Sequence, residues 1–500
     1  MNAGAAPRAA APGAEGPATQ SAVLFAALAE QVRHRPDAPA LSCGNEALSY
    51  RGLESRIDAQ CAALQAQGLG PGITLGWLGL NSIEQLAALF ACARFGARFV
   101  PLNWRLSALE LQRIATDAGI ALLHADSDLS AIAPHELAPL APAPGHEEGD
   151  LLLVYTSGTT GEPKAAVHTQ AAMVANLQAA IEAQGLDEHT RTLALLPLFH
   201  VGGLCIQTLP TLAAGGCVRL HRRFDAEAWF DDLGAWKPST CVLVPAVMRV
   251  LIEHPRWAGA ELSSLDFINS GSSVVPRGLI HAFHARGVPV SQVYGATETG
   301  PLSIVLPPRE ALAQVGRVGW PARGVQVRLV DEAGRDVPEG EPGEVWLRAP
   351  NLMRGYHREP AHPSFVDGWF HSGDLARRHG DGAYEVVGRR KDMIVSGGEN
   401  IYPAEIENLL GCDAEVAECA VVGMPDARWG EVPVLVLVCR PGMPFDETRL
   451  RALFAEQLAR YKHPSRIVVV NSLPKSALGK VLKAELVARL IQVKPPLPMA

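Results

Sequence analysis

Between Tyr155 and Lys164 the chain reads Tyr-Thr-Ser-Gly-Thr-Thr-Gly-Glu-Pro-Lys. Gly158 and Gly161 permit a tight turn whose backbone N–H groups face inward, a nest for anions. The hydroxyls of Thr156, Ser157, Thr159 and Thr160 add donors, and Lys164 adds a cation. That inventory suits a polyphosphate. It departs from the Walker A pattern, because Pro163 precedes the lysine and Ala165 stands where Ser or Thr would hold magnesium. The competing reading is an ordinary Gly/Thr-rich surface turn. Ten residues ending in a lysine, after the apolar run Leu151-Leu152-Leu153-Val154, weigh against it.

Other segments carry chemistry-bearing types in the same manner. Leu196-Pro197-Leu198-Phe199-His200-Val201-Gly202-Gly203 follows an expected strand, where α/β folds place their ligands. A lone histidine there is more often structural. Ser270-Gly271-Ser272-Ser273 leaves a second strand end, and small residues allow a flat ring to approach the backbone. Tyr294-Gly295-Ala296-Thr297-Glu298-Thr299-Gly300 leaves a third. It offers an aromatic face for a base, a hydroxyl for a phosphate oxygen and a carboxylate for Mg²⁺, which prefers hard oxygen ligands. Singly these are packing and turn chemistry; with the phosphate segment they make a nucleotide site. Further on, His371-Ser372-Gly373-Asp374 places an acid in an expected glycine turn, able to accept from both ribose hydroxyls. Gly388-Arg389-Arg390-Lys391 supplies an arginine to donate to sugar or phosphate. Ser396-Gly397-Gly398-Glu399 and Pro474-Lys475-Ser476-Ala477-Leu478-Gly479-Lys480 complete the set. By itself the last is a solvated lysine in a glycine turn.

The elements that must position these groups alternate at α/β intervals. A helical pattern spans Val23 to Val32, a short strand Ala47 to Tyr50, and a helix continues to Gly68. Strand Ile73 to Leu80, helix Ile83 to Phe95, strand Arg98 to Leu102 and helix Ala108 to Ala118 follow. After an Ala/Pro-rich connection over 127–149 and the phosphate segment, a helix begins near Ala171. Strands are expected at Leu193–Leu196, Cys217–Leu220, Cys241–Val244, Phe267–Asn269 and Val290–Tyr294. This alternation predicts a largely parallel sheet with helices on both faces. From Gly316 to Ala349 short runs broken by Asp331-Glu332-Ala333-Gly334 and Pro338-Glu339-Gly340 read as hairpins. From Met393 a smaller α+β unit is expected, with helices near Pro403 and Glu447 and strands near Ala420, Leu435 and Ile467. Trp320 suits the core or a pocket rim, with the core favoured. His281 and His284, three apart on a helix without a third ligand in view, read as an exposed face. Gly68-Leu69-Gly70-Pro71-Gly72 is only a faint dinucleotide fingerprint.

The totals bound the class. Five hundred residues exceed one ordinary core, so at least two domains are expected. With 48% hydrophobic and 19% charged residues the chain suits a soluble enzyme-sized protein, and a net charge of −8 argues against a nucleic-acid partner. Nine cysteines without a C-x-x-C pair fit reduced thiols and a cytoplasmic setting. No apolar run reaches the ~18 residues of a spanning helix. Residues 1–20, rich in Ala, Pro and Gly, read as a disordered tail.

In this order, the segments at 155–164, 294–299, 371–375 and 388–403 resemble those of the adenylate-forming enzymes. That superfamily comprises acyl-CoA synthetases, peptide-synthetase adenylation domains and beetle luciferases, and the resemblance covers roughly residues 21–490. It implies a large multi-sheet α/β N-terminal domain over 21–390 and a small mobile α+β C-terminal domain over 391–500, hinged at Lys391. It implies that a carboxylate and ATP give acyl-AMP and pyrophosphate, after which a thiol displaces AMP. By resemblance Thr156, Ser157, Gly158, Thr159, Thr160 and Lys164 would hold the β/γ-phosphates. Tyr294 would stack on adenine, beside Gly271, Ser272, Ser273 and Gly295. Glu298, with Thr156, would ligate Mg²⁺, and Thr297 would meet the α-phosphate. Asp374 and Arg389 would bind ribose, Lys480 would bridge the carboxylate and α-phosphate, and Gly397 and Gly398 would line the pantetheine tunnel. Amino-acid-activating relatives carry an aspartate after the phenylalanine of the 199–200 region. This chain has His200, counted among the catalytic candidates, which disfavours amino acids and leaves coenzyme A the expected acceptor. The expected function is an ATP-dependent carboxylate–CoA ligase for an aliphatic or aryl acid, with homodimers compatible. The alternatives are stand-alone acyl adenylation that loads a carrier protein and a non-catalytic nucleotide-binding protein.

Overall fold

The computed structural model describes residues 24–492, except 144, 158–162, 272–273, 360–361, 412, 444 and 476–479. The expected tail over 1–20, Gly158, Thr159 and Thr160 of the phosphate segment, and Ser272 and Ser273 therefore lie outside the described residues.

Four sheets organise the chain. The largest has nine strands in the order Trp320–Pro321, Ile304–Val305, Val290–Tyr294, Phe267–Gly271, Thr240–Leu243, Arg191–Ala194, Cys217–Leu220, Pro39–Cys43 and Glu46–Ser49. The five pairings among its six central strands, from Val290–Tyr294 through Pro39–Cys43, are all parallel. Val290–Tyr294, Phe267–Gly271, Thr240–Leu243 and Arg191–Ala194 consequently end on one edge, where helix-flanked parallel sheets bind ligands. A six-stranded sheet runs Gly355–Tyr356, Pro163–Thr169, Asp150–Ser157, Arg98–Leu102, Thr74–Leu78, Ile120–Ala125. Helices between these two sheets are capped as local chemistry requires. Ile83–Phe95 starts at Ser82, whose side chain accepts from Gln85 N–H, and stops at Gly96 in the left-handed region. The faces bury Leu53, Ile57, Leu86 and Phe90 among others, each such side chain contributing roughly 1.5–3 kcal/mol.

A third, antiparallel sheet holds Gln326–Val330, Gly343–Arg348, Trp369–Arg378 and Phe365–Val366, with Tyr384–Arg389 added to Trp369–Arg378. The fourth holds Glu399–Ile401, Ile394–Ser396, Gly430–Cys439 and Val416–Asp426, with Arg466–Val469. Its two faces pack clusters drawn from residues 394 onward, one under helices Pro403–Leu410 and Glu447–Gln457 and one under helix Lys483–Gln492. This unit touches the larger part through Arg440, whose Nη1 lies 2.6 Å from Glu253 Oε1.

Several expectations are corrected. The strand Pro163–Thr169, paired antiparallel with Asp150–Ser157, was not expected, while the helix expected near Ala171 begins at Gln170. Pro39–Cys43, Ile120–Ala125 and helix Lys483–Gln492 are additional elements. Asp374 does not sit in a free turn. It lies within the ten-residue strand Trp369–Arg378, beside a register shift that bulges the pairing at Leu375/Ala376. Trp320 is half-buried on a two-residue strand and donates its indole N–H to Asp381 O at 3.1 Å, so it is outside the core. His281 is exposed as expected, while His284 Nε2 accepts from Val290 N–H at 3.1 Å, a structural bond.

Candidate active site

Arg389 and Asp374 face each other across adjacent antiparallel strands. Register alone therefore brings the pair together, with Arg389 Nε 2.9 Å from Asp374 Oδ1. Tyr294, at the end of its strand in the large sheet, donates its hydroxyl to Asp374 Oδ2 at 3.0 Å. Burial raises the Asp374 pKa above the usual carboxylate range, and the Arg389 charge opposes that shift. Burial likewise pushes the Tyr294 phenol well up, with the Asp374 charge adding to it. These candidates are thus one cluster joining two sheets, with Asp374 and Tyr294 buried and Arg389 partly exposed.

Lys480 belongs to the small unit, yet it lies within electrostatic reach of this cluster. Crowding by surrounding protein lowers its ammonium pKa; Arg389 adds repulsion, while Asp374 and Asp392 oppose the shift. The residue itself stays exposed. Lys391 occupies the short 3₁₀ turn Arg390–Asp392, between the last strand of the third sheet and the first of the fourth. Gly397 and Gly398 form the tip of the hairpin Ile394–Ser396/Glu399–Ile401, at φ +60° and +88°. A Cβ on Gly397 would stand 2.7 Å from the Trp429 ring, so that turn requires glycine. This hairpin is a different element of the small unit from the one that carries Lys480.

Thr297–Thr299 is a single 3₁₀ turn held from several sides. Thr299 Oγ1 accepts from Ala296 N–H at 2.8 Å, and Glu298 O accepts from Met353 N–H at 2.8 Å. Asn351 Nδ2 donates to Thr299 O and to Leu302 O, both at 2.9 Å. The Glu298 carboxylate accepts from the Tyr356 hydroxyl at 2.7 Å. In the phosphate hairpin Thr156 pairs with Lys164, and its Oγ1 donates to Lys164 O at 3.4 Å. Lys164 Nζ lies 2.8 Å from Glu359 Oε2 and 5.7 Å from the centre of the Tyr356 ring. Gly271 and Gly295 sit where they were expected, for a different reason. A Cβ would stand 2.5 Å from Val293 O at the first and 1.7 Å from Pro301 O at the second. Neighbouring backbone, rather than a ligand ring, already occupies the space their missing side chains leave.

His200 begins the helical segment that follows its strand, its ring 4.5 Å from that of Phe199. Its Nε2 is buried and without a protein partner. Burial, assisted by the Arg105 charge, pulls its pKa down to about 4, so it is neutral at pH 7. The helical segment continues into Leu204–Thr208, a π-helical turn in which Leu209 N–H reaches back five residues to Leu204 O. Asn81 secures the approach from the other sheet. Its Oδ1 accepts from Leu198 N–H at 2.9 Å, and its Nδ2 donates to Leu196 O and His221 O at 3.0 Å each.

The oxygen donors offered by Glu298 and Thr156 suit Mg²⁺, which needs one or two protein ligands and completes its shell with water and phosphate. Among the described residues no cluster of three His, Cys, Asp or Glu forms a denser metal site. Residues 28–357 match the family described as AMP-binding enzyme, and residues 405–480 match the AMP-binding enzyme C-terminal domain. The chain belongs to the AMP-binding enzyme family. This AMP-binding enzyme is 43% identical over 477 residues to indoleacetate–CoA ligase of Aromatoleum aromaticum, covering 88% of this chain and 94% of the relative. It is 40% identical over 474 residues to feruloyl-CoA synthase of an Amycolatopsis species, covering 91% and 96%. Its structure resembles that of o-succinylbenzoate coenzyme A synthetase from Bacillus subtilis, solved in complex with ATP and magnesium ion. There the TM-score is 0.81 and the identity 30%, over 92% of this chain and 98% of the other. No helix among the described residues of the AMP-binding enzyme is long and apolar enough to cross a membrane.

Sequence reasoning passed over Tyr356, Glu359, Asn351, Asn81 and His168 of this AMP-binding enzyme. None belongs to a motif with a chemical signature, and Tyr356 lies on a strand of two residues. His168 is fully buried, hydrogen-bonded to the Thr297 backbone, with Nε2 unpartnered and its pKa lowered by burial to about 4. A lowered histidine pKa makes the unfolded chain bind more protons between the two values. Stability associated with His168 and His200 is therefore fully present above the unfolded histidine pKa near 6.5 and lost as pH falls toward 4. Urea midpoints are expected to drop across that window. The drop should be shallower in His168→Gln, which keeps a donor for the Thr297 backbone but does not titrate.

Proposed function

We propose that the protein is an ATP-dependent carboxylate–CoA ligase that activates an aryl acid as its acyl-adenylate and passes the acyl group to the coenzyme A thiol. The placement of Lys480 beside the Tyr294–Asp374–Arg389 cluster carries this reading, because it joins the smaller unit to a nucleotide-type pocket of the larger. In it Asp374 and Arg389 receive the ribose, Tyr294 the adenine, and Lys164 with Thr156 to Thr160 the outer phosphates. Glu298 and Thr156 would hold Mg²⁺, which when bound supplies positive charge to the phosphate oxygens. The acid carboxylate attacks the α-phosphorus and the bond to pyrophosphate breaks. Negative charge gathers there as two anions approach, and Lys480 stabilises it together with the Thr297 hydroxyl. The CoA thiol then attacks the acyl carbon and AMP leaves with the electron pair of the broken bond.

An aryl acid is supported by the names of the relatives, an indoleacetate and a feruloyl ligase. The Phe199 and His200 rings, in the segment where amino-acid-activating relatives carry their aspartate, agree with it. The neutral imidazole adds no charge there. The units meet at Lys391 in this reading, and a cytoplasmic setting accords with its soluble substrates. A panel of acids assayed for pyrophosphate release, then for AMP and acyl-CoA on adding CoA, tests it. Indole-3-acetate and hydroxycinnamates should exceed straight-chain aliphatic acids in kcat/KM, with product formation dependent on CoA. Pyrophosphate release with no acid in the panel would overturn the reading, and adenylate formation without CoA transfer would overturn its second half.

A further inference from the structure

The short strand Gly355–Tyr356 belongs to no motif used above, yet it stands between two groups of the phosphate end. It pairs antiparallel with Pro163–Thr169, Gly355 opposite Val167 and Tyr356 opposite Ala166. Bonds on both sides keep it still. Arg354 N–H donates to Val167 O and His357 N–H to Ala165 O, each at 2.8 Å. The Arg354 guanidinium holds the buried Asp150 carboxylate through Nε at 2.9 Å and Nη2 at 3.0 Å. Tyr356 is therefore mounted on the strand that carries Lys164, which places one face of its ring near that ammonium. Its hydroxyl crosses to the other sheet and donates to Glu298 Oε1 at 2.7 Å. A phenol is protonated at neutral pH, so the hydroxyl has a proton to donate.

A carboxylate on a 3₁₀ turn has free rotation about its side-chain bonds unless something holds it. Tyr356 occupies one oxygen and leaves the other available. We propose that Tyr356 is a positioning residue for adenylation: its hydroxyl fixes the Glu298 carboxylate in the rotamer that offers Oε2 to the divalent cation of the metal–nucleotide complex. The inference rests on the reading of Glu298 as the metal-ligating carboxylate. Outer partners of this kind typically change metal affinity by 10–100-fold when removed.

Tyr356→Phe keeps the ring beside Lys164 and deletes only the donor. The probe is Mn²⁺, titrated into the full-length enzyme with a non-hydrolysable ATP analogue and followed by loss of the free-ion EPR signal. Mg²⁺ titrations of pyrophosphate release run beside it. Tyr356→Phe is expected to weaken Mn²⁺ binding about tenfold and to raise the half-maximal Mg²⁺ concentration about as much. The KM for the acid, and thioester formation from supplied acyl-adenylate, should stay as in the wild type. Wild-type Mn²⁺ affinity in Tyr356→Phe, with affinity lost in Glu298→Gln, overturns the positioning role while sparing the metal reading. Wild-type affinity in Glu298→Gln overturns both. An equal fall of both half-reactions in Tyr356→Phe, with an unchanged Mn²⁺ midpoint, marks a merely structural residue and also overturns it.

Discussion

Replacing Lys480 by alanine is expected to slow acyl-adenylate formation by about 10²–10³-fold and to leave thioester formation from supplied acyl-adenylate within a few-fold of wild type. The asymmetry follows from where charge develops. During adenylation two anions are forced together at the α-phosphorus, and a fixed ammonium acts mainly on the transition state. Lys480 lies within electrostatic reach of the Asp374–Arg389 cluster, and burial with Arg389 repulsion disfavours its charged form. Its removal relieves that cost in the resting enzyme, so the variant should fold normally. The thiol step separates AMP from an acyl carbon and has no comparable accumulation of charge at phosphorus. Single-turnover measurements of each half-reaction check the prediction, and equal losses in both would contradict it.

The opposite pattern is expected for Lys391→Pro. Lys391 lies in the turn Arg390–Asp392, directly after the strand that presents Arg389 and just before the first strand of the small unit. Proline fixes φ near −65°, which a 3₁₀ turn tolerates. The arrangement that brings Lys480 to the cluster should then persist, and adenylation with it. A second arrangement, with another face of the small unit turned toward the acyl carbon, needs a hinge residue to change its dihedrals. Thioester formation is therefore expected to fall by about two orders of magnitude or more, the scale of losing a properly oriented reactant. Acyl-adenylate should accumulate on the enzyme, visible as a pyrophosphate burst without matching AMP release. Loss of the same half-reaction in Lys391→Pro and in Lys480→Ala would refute rotation of the small unit between two working faces.

The legible parts of the molecule are those where local chemistry and tertiary demand coincide. Ile83–Phe95 was bounded from sequence because a serine cap opens it and a glycine closes it. Cys217–Leu220 and Val290–Tyr294 were readable as short β-type segments between turn residues. Pro163–Thr169 was not, because Ala165, Ala166 and Val167 are all buried and show no alternation. Asp374 was a candidate site residue by its neighbours, but the glycine before it suggested a turn. Only pairing with Tyr384–Arg389 reveals a bulged strand that sets it opposite Arg389. Tyr356 and Asn81 were beyond reach for one reason: each acts by bonding an element distant in sequence, 58 residues away at Glu298 and 115 at Leu196. Such bonds leave no periodic trace.

The π-helical turn at Leu204–Thr208 is an α-helix carrying one surplus residue. The bulge absorbs that residue locally, so the helical segments before and after it keep their faces. Deleting one residue here would let the backbone relax to the common pitch with Val201 and Leu209 still buried. The same deletion within the regular helix Gln170–Gln184 would rotate everything beyond it by about 100° and carry its buried residues out of the core. The turn is thus a place where the chain can shed a residue and keep its packing, while the Asn81 bonds at Leu196 and Leu198 hold the segment's entry.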